Sequence, residues 1–366
     1  MRHRLLPYWI LFAYFAAGAA LDPARQVPGV QPRRTYLVIG LLLLTLMIGT
    51  RFKVGGDWRS YEFMFRFVDY MSLNRALDYG DPGYQFINWM VQQWNGEIWW
   101  VNLISAAIFV WGLFRLCQNQ PLPLLAVLVA VPYLIIVVAM GYTRQSIAIG
   151  ILMAGLAALG RGGSVIRFAL YVAVAALFHK TAVLVLPLVI FAGKRNRLLN
   201  VIAGVAMFVL FFDLFLSEST DQFLRNYIDT RYTSQGAWIR VILNLVPALL
   251  LLVKRGRFGL TEQEEKVWRY IAFAACAMPF ILMATPSSTA VDRMALYLMP
   301  LQIVVLSRTY LLFAKPRTGV VAVILYAALV QFTWLNFASH AKLWVPYRSF
   351  MFEDSTGRRN YTNESR

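Results

Sequence analysis

The sequence predicts an all-α, polytopic integral membrane protein, and three observations carry that prediction. Hydrophobic residues make up 59% of the 366 residues, and mean hydropathy is +0.56. Charged residues are only 14%, against about 25% in a soluble domain. The apolar residues come in repeated runs of roughly 17–21, the length that crosses a bilayer core.

Apolar segments fall at about 5–21, 36–50, 98–117, 122–140, 143–160, 166–178, 181–192, 199–216, 239–253, 268–284, 293–313 and 319–337. They amount to about 11–12 membrane segments in a single transmembrane domain over 1–340, followed by a polar tail over 341–366 that reads as loose. The opening MRHRLLPYWILFAYFAAGAALDPAR imitates a signal peptide. The many spans that follow favour an uncleaved first helix.

The net charge of +17 does not point to nucleic acid, because no soluble basic domain exists to bind it. It reflects loop charge and arginines that can meet anionic lipid or phosphate. Cys117 and Cys276 lie in apolar segments without metal or redox spacing, and read as packing residues.

Orientation follows the basic loops. Short loops at 115–123, 161–167, 193–198 and 314–318 carry Arg115, Arg161, Arg167, Lys194, Arg195, Arg197, Lys315 and Arg317 without an acid. The 22–35 and 254–268 loops add Arg33, Arg34, Lys254, Arg255 and Arg257. These face the cytoplasm, and the longer loops 51–97 and 217–238 face outward, at the cost of Arg2 and Arg4 outside. Segment 166–192, with His179 and Lys180 at its middle, must then enter and leave from the cytoplasmic side. It reads as two short helices with a turn at the His-Lys pair. Irregular backbone at depth is tolerated only inside protein or beside water, which places His179 in an outward-facing cavity. A span count wrong by one is the alternative.

The first outer loop is expected to be structured. Asp57 can cap a helix over 58–71, and Trp58, Tyr61 and Phe65 share one face of it. Asp81-Pro82 is a cap-plus-first-turn signal for a second helix. Trp58, Trp89, Trp94, Trp99 and Trp100 suit interfacial, amphipathic helices over the outer leaflet. Asp57 reads as a cap alone, or as a cap whose carboxylate also faces the cavity.

Several charges stand where charge is expensive. Arg144 opens a span just after a glycine-containing turn, with Tyr142, Thr143 and Gln145 around it. An arginine there needs an anionic partner or snorkels to the interface. His179 is the only histidine inside an apolar run; it reads as a structural hydrogen-bonding residue or as a proton acceptor near neutral pH. Arg293 opens RMALYLMP, with Asp292 as a structural partner in the bland reading and Tyr297 one turn on. Arg225, Tyr227, Arg231 and Tyr232 read as a lid or acceptor groove of low specificity. Arg51, Asp57, Arg144, His179 and Arg293 all fall at outward ends and could converge on one cavity. Several arginines and an imidazole suit a diphosphate headgroup, because arginine binds phosphate through paired hydrogen bonds. No metal-ligand cluster is evident, so a metal-independent reaction without cofactor is expected.

The ordered run GTRFKVGGDWRSYEF, DPGYQFINW, GYTRQSIAIGILMAGLAAL, ALFHKTAVLVLPL and DRMALY resembles the EpsG family, bacterial exopolysaccharide polymerases related to Wzy-type O-antigen polymerases. The resemblance covers about residues 36–300. Its elements match Gly56, Asp57 and Tyr61, then Arg144 with Gln145 and Ala148, then Phe178 with His179, then Arg293 with Tyr297. Trp58 stands where the family often has a tyrosine, and Lys180 where it has a small polar residue. The resemblance implies a GT-C-like membrane architecture in the bacterial inner membrane with the site facing the periplasm. It also implies polymerisation of repeat units linked to undecaprenyl diphosphate, with lipid-linked glycans as donor and acceptor partners in the bilayer. In that reading Arg144 and Arg293 stabilise the leaving diphosphate, and His179 or Asp57 takes the proton of the attacking hydroxyl. Arg51, Trp58, Tyr61, Tyr142, Gln145, Lys180 and Tyr297 contact substrate. Whether a chain-length regulator binds is open. The competing readings are a lipid-phosphate-sugar glycosyltransferase or ligase, which often has an acid in its first outer loop, and a transporter of lipid-linked glycan. The second fits less well, because no inverted repeat is seen and the costly charges lie on one face.

Overall fold

The computed structural model describes residues 4–21, 32–187, 202, 205–210, 213, 236–285 and 288–352. Among these, every regular element is helical. The last residues of the segment expected at 181–192, from 188 on, and most of that expected at 199–216 lie outside the described residues, as do Lys194, Arg195, Arg197, the whole 217–235 loop with its arginines and tyrosines, and the chain after 352.

Helix α1 spans Leu6–Leu21 and α2 Pro32–Gly49. The outer loop folds into α3 (Trp58–Val68), α4 (Leu73–Asp78) and α5 (Pro82–Gln93). Next come α6 (Ile98–Cys117), α7 (Pro123–Ala130) running on as a wider-wound turn through Val131–Ala139, α8 (Thr143–Gly160) and α9 (Val165–Phe178). The later half holds α10 (Ala237–Lys254), α11 (Glu262–Ala284), α12 (Ser288–Leu296), α13 (Pro300–Leu306) and α14 (Pro316–Phe337). Proline opens α5, α7, α13 and α14, where its missing N–H costs nothing. Ser164 accepts from the Arg167 N–H at the start of α9, and Thr261 with Glu264 closes a reciprocal cap on α11, satisfying donors that a helix leaves open.

Among the described residues, five helices are long and apolar enough to cross a membrane: α6, α8, α10 with its extension to Arg257, α11 and α14. A sixth results when α12 and α13 are taken as one span, bent by 51° at their junction. Helix α1, α2 from Arg34 onward, α7 with its extension, and α9 are shorter apolar helices. The protein is therefore a multi-pass, all-α membrane protein. The run expected as one span over 293–313 is broken before Pro300, because proline cannot supply the N–H a continuous helix needs. Asn244 bridges the break, donating to the Ala295 carbonyl and accepting from Gln302.

Helix α8 is the centre of the bundle: 89% of its apolar window is covered by protein, against 28% for α14. It packs on α6 almost backbone to backbone, since a Cβ on Gly112 would collide with the Gly150 backbone. Gly55 has φ +114, and a Cβ there would strike the Met140 carbonyl. Only glycine fits that left-handed close approach, which seats the outer loop on the turn before α8. At the opposite end, buried Arg308 donates to Gln120, to the Phe258 and Gly259 carbonyls and to Glu264, locking three loops together.

Three expectations need correction. Asp57 precedes α3 but its side chain makes no cap hydrogen bond, and neither does that of Asp81 before α5. The chain over 338–352, expected to be loose, is packed: Phe52 and Phe350 N–H groups donate to the Arg348 and Thr50 carbonyls, Tyr8 donates to the Trp344 carbonyl, and Trp344 donates to that of Ile136. The break at His179 is present, with α9 ending at Phe178, His179 extended and a tight helical turn following over Lys180–Val185. Its return toward the cytoplasm lies outside the described residues.

Gly112→Leu should separate α6 from α8. A loss of about 1–3 kcal/mol, the usual cost of overpacking, would appear as a lower melting temperature of the purified protein in detergent.

Candidate active site

The site is built at the N-terminal end of α8, where α5, α9, α12 and the turn before α3 converge. Arg144 sits in the first turn of α8. Its Nη1 donates to Asp81 Oδ2 at 2.7 Å. Its own backbone N–H reaches the Tyr61 hydroxyl at 3.4 Å, and its guanidinium lies 5.9 Å from that ring's centre.

Asp81 is the hub. Its side chain is 5% exposed. Oδ2 also lies 4.0 Å from His179 Nδ1, and Oδ1 accepts from the Lys180 backbone N–H at 3.4 Å. Burial pushes the Asp81 carboxyl up, and Arg144 with the Lys180 N–H pulls it back. One carboxylate thus sets both the cation of α8 and the imidazole at the end of α9. With Nδ1 turned to Asp81, Nε2 is the ring atom left to take a proton.

Arg293 completes the second half of the site. It stacks over the Tyr142 ring at 4.3 Å and its Nη2 lies 3.8 Å from Asp57 Oδ2. Burial raises the Asp57 carboxyl against the pull of Arg293 and Arg144. Gln145 donates to the Arg293 carbonyl at 2.8 Å and so ties α12 to α8. Tyr297 meets Thr181 at 3.0 Å between the hydroxyls, and its ring lies 6.5 Å from that of His179. Arg144 and Arg293 each keep about a third of the side chain exposed, and His179 keeps 21%. The cations are anchored and still reachable.

The structure therefore brings together Asp57, Arg144, His179 and Arg293, with Tyr61, Tyr142, Gln145, Lys180 and Tyr297 around them. It does not bring Arg51 or Trp58 to the opening. Arg51 is 1% exposed and donates to the Ile48 carbonyl and to Thr143 Oγ1, so its charge holds α2 to α8 beneath the site. Trp58 is buried against Phe52 and Phe350, because it lies on the inward face of α3. The bland reading of Arg293 also fails: Asp292 pairs with Arg240 instead. Successive helical residues point about 100° apart, so neighbours in sequence are not neighbours in space.

Asp81 was missed as a site residue. An aspartate before a proline at a helix start reads as a cap, and the sequence gives no local sign that the carboxylate turns away. The signal available was the need of Arg144 for an anion.

A profile of the EpsG family matches residues 34–349, most of the chain. No curated protein and no solved structure matches.

Asp81→Ala should leave Arg144 facing an apolar void. Losing a carboxylate from a buried pair costs about 3–5 kcal/mol, discounted here because Arg144 is partly exposed. Asp57→Ala, at a looser and more open pair, should cost within about 1 kcal/mol. Thermal unfolding in detergent separates the two, with Asp81→Ala melting distinctly lower.

Proposed function

Because the chain belongs to the EpsG family, a Wzy-like family of polysaccharide polymerases, we propose that it joins glycan repeat units carried on polyprenyl diphosphate, at the periplasmic face of the bacterial inner membrane. The observation that carries this reading is the pairing of two anchored guanidiniums, each about a third exposed, with an imidazole that faces a buried carboxylate at 4.0 Å.

A glycosyl transfer from a diphosphate donor needs three things from the protein. The leaving diphosphate must be held while its charge grows. A guanidinium has five donors; Arg144 spends one on Asp81 and its Nε is buried, which leaves the other Nη donors for phosphate oxygens. Arg293, stacked on Tyr142, supplies the second cation. Preorganised charge of this kind is the largest electrostatic contribution to such a step. The acceptor hydroxyl must lose its proton. His179 Nε2 accepts it as the oxygen attacks the anomeric carbon of the donor. The new C–O bond forms as the bond from that carbon to the diphosphate breaks. The electron pair leaves with the polyprenyl diphosphate, and no oxidant, reductant or nucleotide sugar enters. Finally, the base must stay oriented through the step. Asp81 holds Nδ1 and stabilises the imidazolium that forms.

Asp57 fits a supporting role. It faces Arg293 at 3.8 Å and keeps that guanidinium turned to the opening. Tyr61 and Gln145 position Arg144 and Arg293 rather than substrate.

Arg144→Ala and Arg293→Ala should each lower polymer yield by about 10²–10³-fold, the effect of losing one stabilising donor. His179→Ala should do so by about 10²–10⁴-fold. Asp81→Asn should cost about 10²-fold by misplacing the base and loosening Arg144, and should cost less on top of His179→Ala than it does alone, the remainder being its effect on Arg144. Polymer length and yield with normally inserted protein check all four. Unchanged polymer in both Arg144→Ala and His179→Ala would refute the reading.

A further inference from the structure

Tyr142 and Arg293 also line a cavity of about 600 Å³ whose remaining lining includes none of Asp57, Asp81, Arg144 or His179. They form the wall it shares with the site described above. Opposite them are the first turn of α10, the last turn of α14 and the segment just after it. We infer that this cavity binds the acceptor saccharide, an uncharged, hydroxyl-rich pyranose chain, and delivers its attacking hydroxyl past Arg293. The inference rests on the proposed glycosyl transfer and adds where the second substrate sits.

The charge of the cavity separates it from the diphosphate side. Arg240 and Asp292 pair with each other in its wall, and Arg240 also donates to the Tyr133 hydroxyl at 2.7 Å. Their side chains are only 10% and 8% exposed. The cation there is already neutralised, so this wall offers fixed polar groups rather than a claim on phosphate. A transferase that joins two glycans must hold two saccharides at once. One is pinned by its phosphates to the Arg144 and Arg293 side. The other needs a place that touches that side without repeating its charge, and this cavity has that form.

The remaining lining suits a sugar. Half-buried Trp334 presents a flat aromatic wall at the end of α14, braced edge-on by buried Trp344 at 5.0 Å. The negative face of an aromatic ring attracts the positively polarised C–H groups of a pyranose. Around it stand short polar groups: Thr289 on α12, and Ser339 with His340, whose Oγ and Nδ1 lie 3.1 Å apart at the exposed rim. Polar and apolar surface share this lining about equally, which suits a ligand that carries hydroxyls on its edges and C–H groups on its faces. The packed segment after α14, for which the sequence suggested no role, thereby gains one.

The test reads binding without turnover. The probe is a lipid-free oligosaccharide of one repeat unit, cleaved from the producing cell's own polysaccharide, titrated into the full-length protein by calorimetry. Inorganic pyrophosphate is titrated separately. We expect the oligosaccharide to bind wild type, and Thr289→Trp, which fills the cavity, and His340→Ala each to weaken it at least tenfold. Pyrophosphate binding should stay within twofold in both. No binding to wild type, or equal affinity in the two cavity variants, overturns the inference. If Thr289→Trp also loses pyrophosphate, its fold has moved and the exposed-rim variant His340→Ala decides alone. Failure of the glycosyl-transfer reading is a separate result, seen as oligosaccharide binding without any joining of units.

Discussion

One carboxylate organises the end of this bundle at which α8 begins. A guanidinium at the end of a helix covered on nearly all sides has to find an anion, and Asp81 is that anion for Arg144. The same carboxylate faces the His179 ring and accepts from the Lys180 backbone. Three elements far apart in the chain are thereby fixed relative to one another: the start of α5, the start of α8 and the end of α9. The break after α9 follows from the same contact. His179 adopts an extended backbone, which stops the helix where its ring meets Asp81.

The second half of the site depends on the first. Gln145 is the residue after Arg144, and it holds the Arg293 carbonyl. Once α8 is set by Asp81, α12 is set through Gln145, and Arg293 lands on Tyr142 opposite Asp57. The result is a pair of cations with one shared opening and separate anchors. Such an arrangement can gain charge in a transition state without reorganising, which is where electrostatic catalysis comes from. Membership of the EpsG family points toward polysaccharide polymerisation, and the proposed glycosyl transfer assigns this geometry its part in it.

Much of this was legible in the sequence, for a physical reason. Charge inside an apolar run costs so much that Arg144, His179 and Arg293 announce themselves, and the helices follow from long apolar runs with proline at their first turns. What was not legible depended on partners distant in sequence. Asp81 lies 63 residues from Arg144, and its local pattern fits a cap equally well. Asp292 stands beside Arg293 in sequence, yet helical rotation gives it to Arg240. Arg51 looked like a headgroup ligand because it ends a span. It is closed over by the segment at 348–350, which pairs with residues 50–52, and nothing in that segment's composition signals the pairing.

The most direct measurement is a reconstitution. Purified full-length protein would be mixed with the polyprenyl-diphosphate-linked repeat unit and no nucleotide sugar, and the products resolved by size. The account predicts a ladder spaced by whole repeat units, with polyprenyl diphosphate released for each unit added. No ladder from folded protein given its cognate substrate, or growth by single sugars, would contradict it.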